Sequence, residues 1–99
     1  MGIKYTRSYR YIIQDLSQAL HEVDEVYEFV EMPVDTWTTM SQQEQDDCLK
    51  TISDDIFYAL DFNPTQYVGQ GKVQYDRHNN ILKVFDGSNC IHIIELMKS

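Results

Sequence analysis

The hydrophobic period of this chain changes near residue 64, and that change limits the folds open to it. Apolar residues first fall at Tyr9, Ile12, Ile13, Leu16, Leu20, Val23, Val26, Tyr27 and Val30. Steps of three and four place them on one stripe of a helix. The pattern predicts a helix from about Tyr9 to Glu31, with Ser8 at its N-cap and Pro33 stopping it. Residues 3–11 also alternate loosely, which admits a short strand at the start. Residues 33–40 read as a connector anchored by Trp37. Ser41-Gln42-Gln43-Glu44 then fits a capping box. The helix it opens carries Cys48, Leu49, Ile52, Ile56, Ala59 and Leu60 on one face and Asp46, Asp47, Asp54 and Asp55 on the other, and Asn63-Pro64 ends it.

Beyond that point the runs shorten and become β-branched or aromatic: Lys72–Asp76, Ile81–Asp86 and Cys90–Met97. Arg77-His78-Asn79-Asn80 and Gly87-Ser88-Asn89 separate them as turns, and Gly69-x-Gly71 also reads as a turn. Short connections make neighbouring strands antiparallel. The expected architecture is α+β: two amphipathic helices followed by a three-stranded antiparallel meander, α-α-β-β-β, in two layers. No repeat or linker divides the chain, so residues 1–99 are expected to form one domain.

Both sides of the expected sheet carry apolar residues. Cys90, His92, Ile94 and Leu96 alternate with Ile91, Ile93 and Met97, and Leu82 and Val84 with Ile81 and Phe85. Two helices cover one face of such a sheet. The other calls for the N-terminal segment, the Trp37 connector or a second copy of the chain, and a homodimer is the expectation.

Charge separates the function classes. Eight basic and sixteen acidic residues give −8. Residues 1–14 hold Lys4, Arg7 and Arg10 and no acid. Residues 15–61 hold thirteen acids against Lys50 alone, and residues 62–99 hold three acids and four bases. A segment of net −12 repels phosphate backbones, so direct nucleic-acid binding is disfavoured and a cationic partner favoured. No apolar run approaches the roughly 18–20 residues of a membrane span, and no h-region marks a signal peptide. Met1-Gly2 with Thr6 matches the short myristoylation pattern. Cys48 and Cys90 lack metal or redox spacing and read as reduced, buried thiols, placing the chain in a cytoplasm.

Few constellations carry chemistry. His21 beside Glu25 and Glu28 reads as a surface ion pair, His92 as a core or interface histidine, and His78 as turn material. No serine or cysteine has the supporting residues of a nucleophile. Glu22-x-x-Glu25 and Glu44-x-x-Asp47 form an E-x-x-E … E-x-x-D pattern, which is similar to the magnesium-binding motif of the all-α nucleotide pyrophosphatases. The resemblance spans about a quarter of the chain. It implies a Mg²⁺-dependent nucleotide pyrophosphohydrolase in which those four carboxylates hold the metal against a triphosphate. The leading expectation is different. The chain reads as a small acidic protein-interaction module, of an inhibitor or immunity type, that captures a basic site on a partner protein. Glu22, Glu25, Glu28, Asp47, Asp54 and Asp55 would make the contact, with no cofactor, metal or catalytic residue involved.

Overall fold

The computed structural model describes residues 3–98. Met1 and Gly2, which begin the myristoylation pattern, lie outside the described residues.

The first helix, α1, runs from Tyr9 to Leu20. Its apolar stripe buries Ile12, Leu16 and Leu20 completely, and Ser8 occupies the N-cap without a side-chain hydrogen bond. Residues 3–8 form no strand. They cross the end of the sheet instead, where the Thr6 and Arg7 amides donate to the Leu96 carbonyl at 2.9 and 3.2 Å.

The helix expected to reach Glu31 therefore stops eleven residues early. Glu25 and Glu31 both take left-handed backbone conformations, φ 60° and 56°, on either side of a 3-10 helix at Val26–Val30. No glycine or proline marks this break. Continuing to Glu31 would carry the helix about 16 Å further, whereas strands of six or seven residues span only about 20–24 Å. Folding back keeps Val23 and Val26 in the core, which a straight helix would carry past it. The expected connector contains a short helix, α2, at Val34–Thr39. Trp37 is its buried residue, as expected, and its ring lies 6.1 Å from that of Tyr27.

Helix α3, Gln42–Ala59, runs antiparallel to α1: Tyr9 meets Asp54 at one end, and Glu22 and Asp46 share a groove at the other. Leu49, Ile52 and Ile56 point inward. Four strands follow where three were expected: β1 Thr65–Val68, β2 Gly71–Asp76, β3 Ile81–Asp86 and β4 Asn89–Glu95. They form an antiparallel sheet in the order β1-β2-β3-β4. Strand β1 has four residues and one partner, β2, so its sequence holds too little alternation to announce it. A two-residue turn, Gly69-Gln70, makes it a strand by fixing its register.

Val68, Val73, Leu82, Val84, Ile94 and Leu96 join α1 and α3 in one continuous core. Strand β4 breaks register opposite Val84/Phe85, so that Val84 pairs with His92 but Phe85 with Cys90. This bulge, at Ile91, moves Cys90 off the His92 face expected from simple alternation. Cys90 is consequently exposed, not buried, while Cys48 is half-buried on α3 and burial raises its thiol pKa; both are free thiols. On the outer face of the sheet Tyr67 and Ile93 are 74% and 60% exposed, and Lys72 lies 4.9 Å from the centre of the Phe85 ring. Neither the N-terminal segment nor Trp37 covers them. Among the described residues no helix is long and apolar enough to cross a membrane.

Candidate functional site

The capping box that opens α3 is complete. The Glu44 amide donates to Ser41 Oγ at 3.2 Å, and the Ser41 amide donates to Glu44 Oε1 at 2.9 Å. These bonds hold the Glu44 carboxyl below its ordinary range. With its start fixed and its inner face in the core, α3 presents a rigid outer ridge. Residues three, four and seven apart share a helix face, so Asp47, Thr51, Asp54 and Tyr58 line up, with Asp55 alongside. All five are exposed. Asp47 accepts from Gln43 Nε2 at 3.2 Å, and Asp54 accepts from the Tyr9 hydroxyl. Burial, then the Asp54 bond and charge, push the Tyr9 pKa up, so the hydroxyl remains a donor. The ridge ends in two aromatic side chains, Tyr58 and Phe62, 69% and 76% exposed, with ring centroids 5.5 Å apart.

The other three expected contact residues lie elsewhere. Glu22 sits just beyond α1 and meets His92 Nε2 at 2.6 Å. Glu25 accepts from Gln70 Nε2 at 2.8 Å in the β1–β2 turn. Glu28 lies exposed in the 3-10 helix. Glu25, Glu28 and Asp24 lie around Tyr27, where desolvation and then their charges raise the phenol pKa. The six residues thus form two groups: the α3 ridge, and a turn whose carboxylates are partly engaged by the sheet.

The four carboxylates of the E-x-x-E … E-x-x-D pattern are not brought together. Glu25 leaves helical geometry at φ 60°, so its three-residue spacing from Glu22 no longer places both on one helix face. Glu44 is engaged by its own N-cap, and Asp47 lies on the outer ridge. Among the described residues, no three His, Cys, Asp or Glu side chains converge to hold a metal ion. His21 does not pair with Glu25 or Glu28 in a helix, because the helix has ended there. His92 is half-buried on β4, bonded to Glu22.

Charge patterning alone does not single out the aromatic residues beside the ridge. Tyr58 and Phe62 fall out of phase with the apolar stripe of α3, seven residues after Thr51 and Asp55, and that phase is readable from the sequence. Tyr5 and Tyr9 are legible there only as aromatics; their assembly against Phe57 is tertiary. Ring centroids of Tyr5, Tyr9 and Phe57 lie 5.2–6.0 Å apart.

Fold and site together define an α+β domain that packs helices on one face of a four-stranded meander and presents an acidic helix ridge bordered by exposed aromatics. No family model, curated protein or solved structure matches this chain.

Proposed function

We propose that this protein is a small acidic interaction module, of an inhibitor or immunity type, that captures a basic site on a partner protein in the cytoplasm. The observation that carries the reading is the α3 ridge. Asp47, Asp54 and Asp55 stand on one rigid, solvent-facing helix surface that runs directly into Tyr58 and Phe62. Carboxylates fixed on a helix steer a cationic partner and supply charge complementarity, and exposed aromatics supply the apolar anchors typical of binding hot spots. Glu22, Glu25 and Glu28 extend the negative field beyond the ridge.

Lysate capture by the tagged protein tests this. A basic partner should be retained at low salt and released at about 0.5 M salt, where the Debye length falls well below 10 Å. Replacing Asp47, Asp54 and Asp55 by lysine should abolish capture, lowering the association rate by about 100-fold, while circular dichroism and thermal midpoint stay near wild type. Undiminished capture by that triple variant would eliminate the ridge as the contact.

A second copy completes the reading. The outer sheet face, with Tyr67, Phe85 and Ile93, lies opposite the helical layer, so pairing two copies through it leaves both ridges available. Light scattering should report a dimer at about 0.1 mM and, for Ile93→Lys, a folded monomer, since a buried unpaired ammonium costs several kcal/mol. A monomeric wild-type protein at that concentration would remove the dimer from the proposal.

A further inference from the structure

Beside the ridge lies a shallow cavity of about 280 Å³ lined by Ile3, Tyr5, Tyr9, Phe57, Tyr58 and Asp61. Resting on the acidic-module reading above, we infer that this cavity is the anchor point of capture and that its occupant is an arginine side chain of the basic partner.

Its size, chemistry and charge each narrow the occupant. The volume falls below the roughly 300–1,000 Å³ of small-molecule sites and suits one long side chain. Its walls are aromatic: Tyr5 and Tyr9 each meet Phe57 edge-on, at 84° and 86°. Phe57 is buried, whereas Tyr5, Tyr9 and Tyr58 are 41%, 38% and 69% exposed, so their rings are open to a ligand. Such rings attract cations through their negative faces. The Tyr9 hydroxyl donates to Asp54, which moves electron density toward the ring and strengthens that attraction. Asp61 belongs to the cavity, so an entering cation also meets a carboxylate. The chain's own Arg10 and Lys50 line the neighbouring groove between α1 and α3, on the other side of Tyr9. Aliphatic anchors would leave Asp61 unpaired. Among cations a planar, weakly hydrated guanidinium stacks on tyrosine better than an ammonium.

The test compares two peptides of equal charge, (Arg-Gly-Ser)₃ and (Lys-Gly-Ser)₃, titrated into the full chain and followed by NMR. The ridge alone does not distinguish them. The cavity should make the arginine peptide about fivefold tighter, with ring resonances of Tyr5, Tyr9 and Tyr58 shifting on binding. Tyr58→Ala should erase that preference, and Tyr58→Phe should keep it; both change an exposed side chain and leave the core intact. Equal binding of the two peptides, or a preference that survives Tyr58→Ala, would overturn the cavity. The ridge would still stand if the Asp47, Asp54 and Asp55 lysine variant then lost both peptides. Failure of the wild-type protein to bind either peptide would overturn cavity and ridge together.

Discussion

Gly69→Ala should destabilise this domain by about 3 kcal/mol, as an added methyl meets left-handed strain of roughly 1–2 kcal/mol and overpacking of roughly 1–3 kcal/mol. Gly69 has φ 53°, and a Cβ there would lie 2.4 Å from the Asp24 carbonyl oxygen and 2.5 Å from that of Glu25. Both are backbone atoms of the turn that ends the α1 segment, and that turn is itself tied to the hairpin by the Gln70 amide donating to the Asp24 carbonyl at 2.9 Å. Relief of the clash therefore requires the turn to separate from the sheet. Gly87 is the control. It has φ 61°, but a methyl added there would meet nothing within 4 Å, so Gly87→Ala should cost only the backbone strain, about 1–2 kcal/mol. Urea unfolding reads both. Equal losses at the two positions would show that the Glu22–Glu25 turn does not press on the β1–β2 hairpin.

Adjacent residues of α3 should respond with opposite signs. Ile52 and Ser53 are both fully buried. Ile52→Ala removes three carbons from the packed core and should cost about 2–5 kcal/mol, a large part of the roughly 5–15 kcal/mol typical of a domain. The Ser53 hydroxyl makes no hydrogen bond. Ser53→Ala deletes an unsatisfied polar atom whose burial costs about 1–3 kcal/mol and also favours the helix, so it should stabilise by about 1 kcal/mol. Thermal unfolding distinguishes the two directly, by a fall for Ile52→Ala and a rise for Ser53→Ala. A loss of stability in Ser53→Ala would mean that the hydroxyl has a stabilising role its surroundings do not reveal.

The two long periodic segments are the most legible parts of the chain. Ile12, Leu16 and Leu20 in α1, and Leu49, Ile52 and Ile56 in α3, are buried as their spacing requires. The Ser41–Glu44 capping box forms because both partners lie within one helical turn. The meander is legible in its last three strands, where alternation is sustained and turns are glycine- or asparagine-rich. Strand β1 is not, because four residues define no period. The candidate site is legible in part. Asp47, Asp54 and Asp55 share the solvent face that helical spacing assigns them, whereas the same spacing puts Glu22 and Glu25 on a helix that has already ended.

What the sequence by itself determined is everything governed by contacts between near neighbours: two amphipathic helices, a capped start, a change of period and an acidic segment over residues 15–61. The tertiary structure alone decided where α1 stops, that residues 65–68 pair as a strand, that Cys90 turns outward and that Tyr5, Tyr9 and Phe57 meet. Each of these depends on a partner distant in the chain: the sheet that limits helix length, the β2 edge that completes β1, the bulged β3–β4 register, and the end of α3 that receives the N-terminal tyrosines. Local periodicity carries no record of such partners, since a residue's spacing fixes which face it occupies but not what that face will meet.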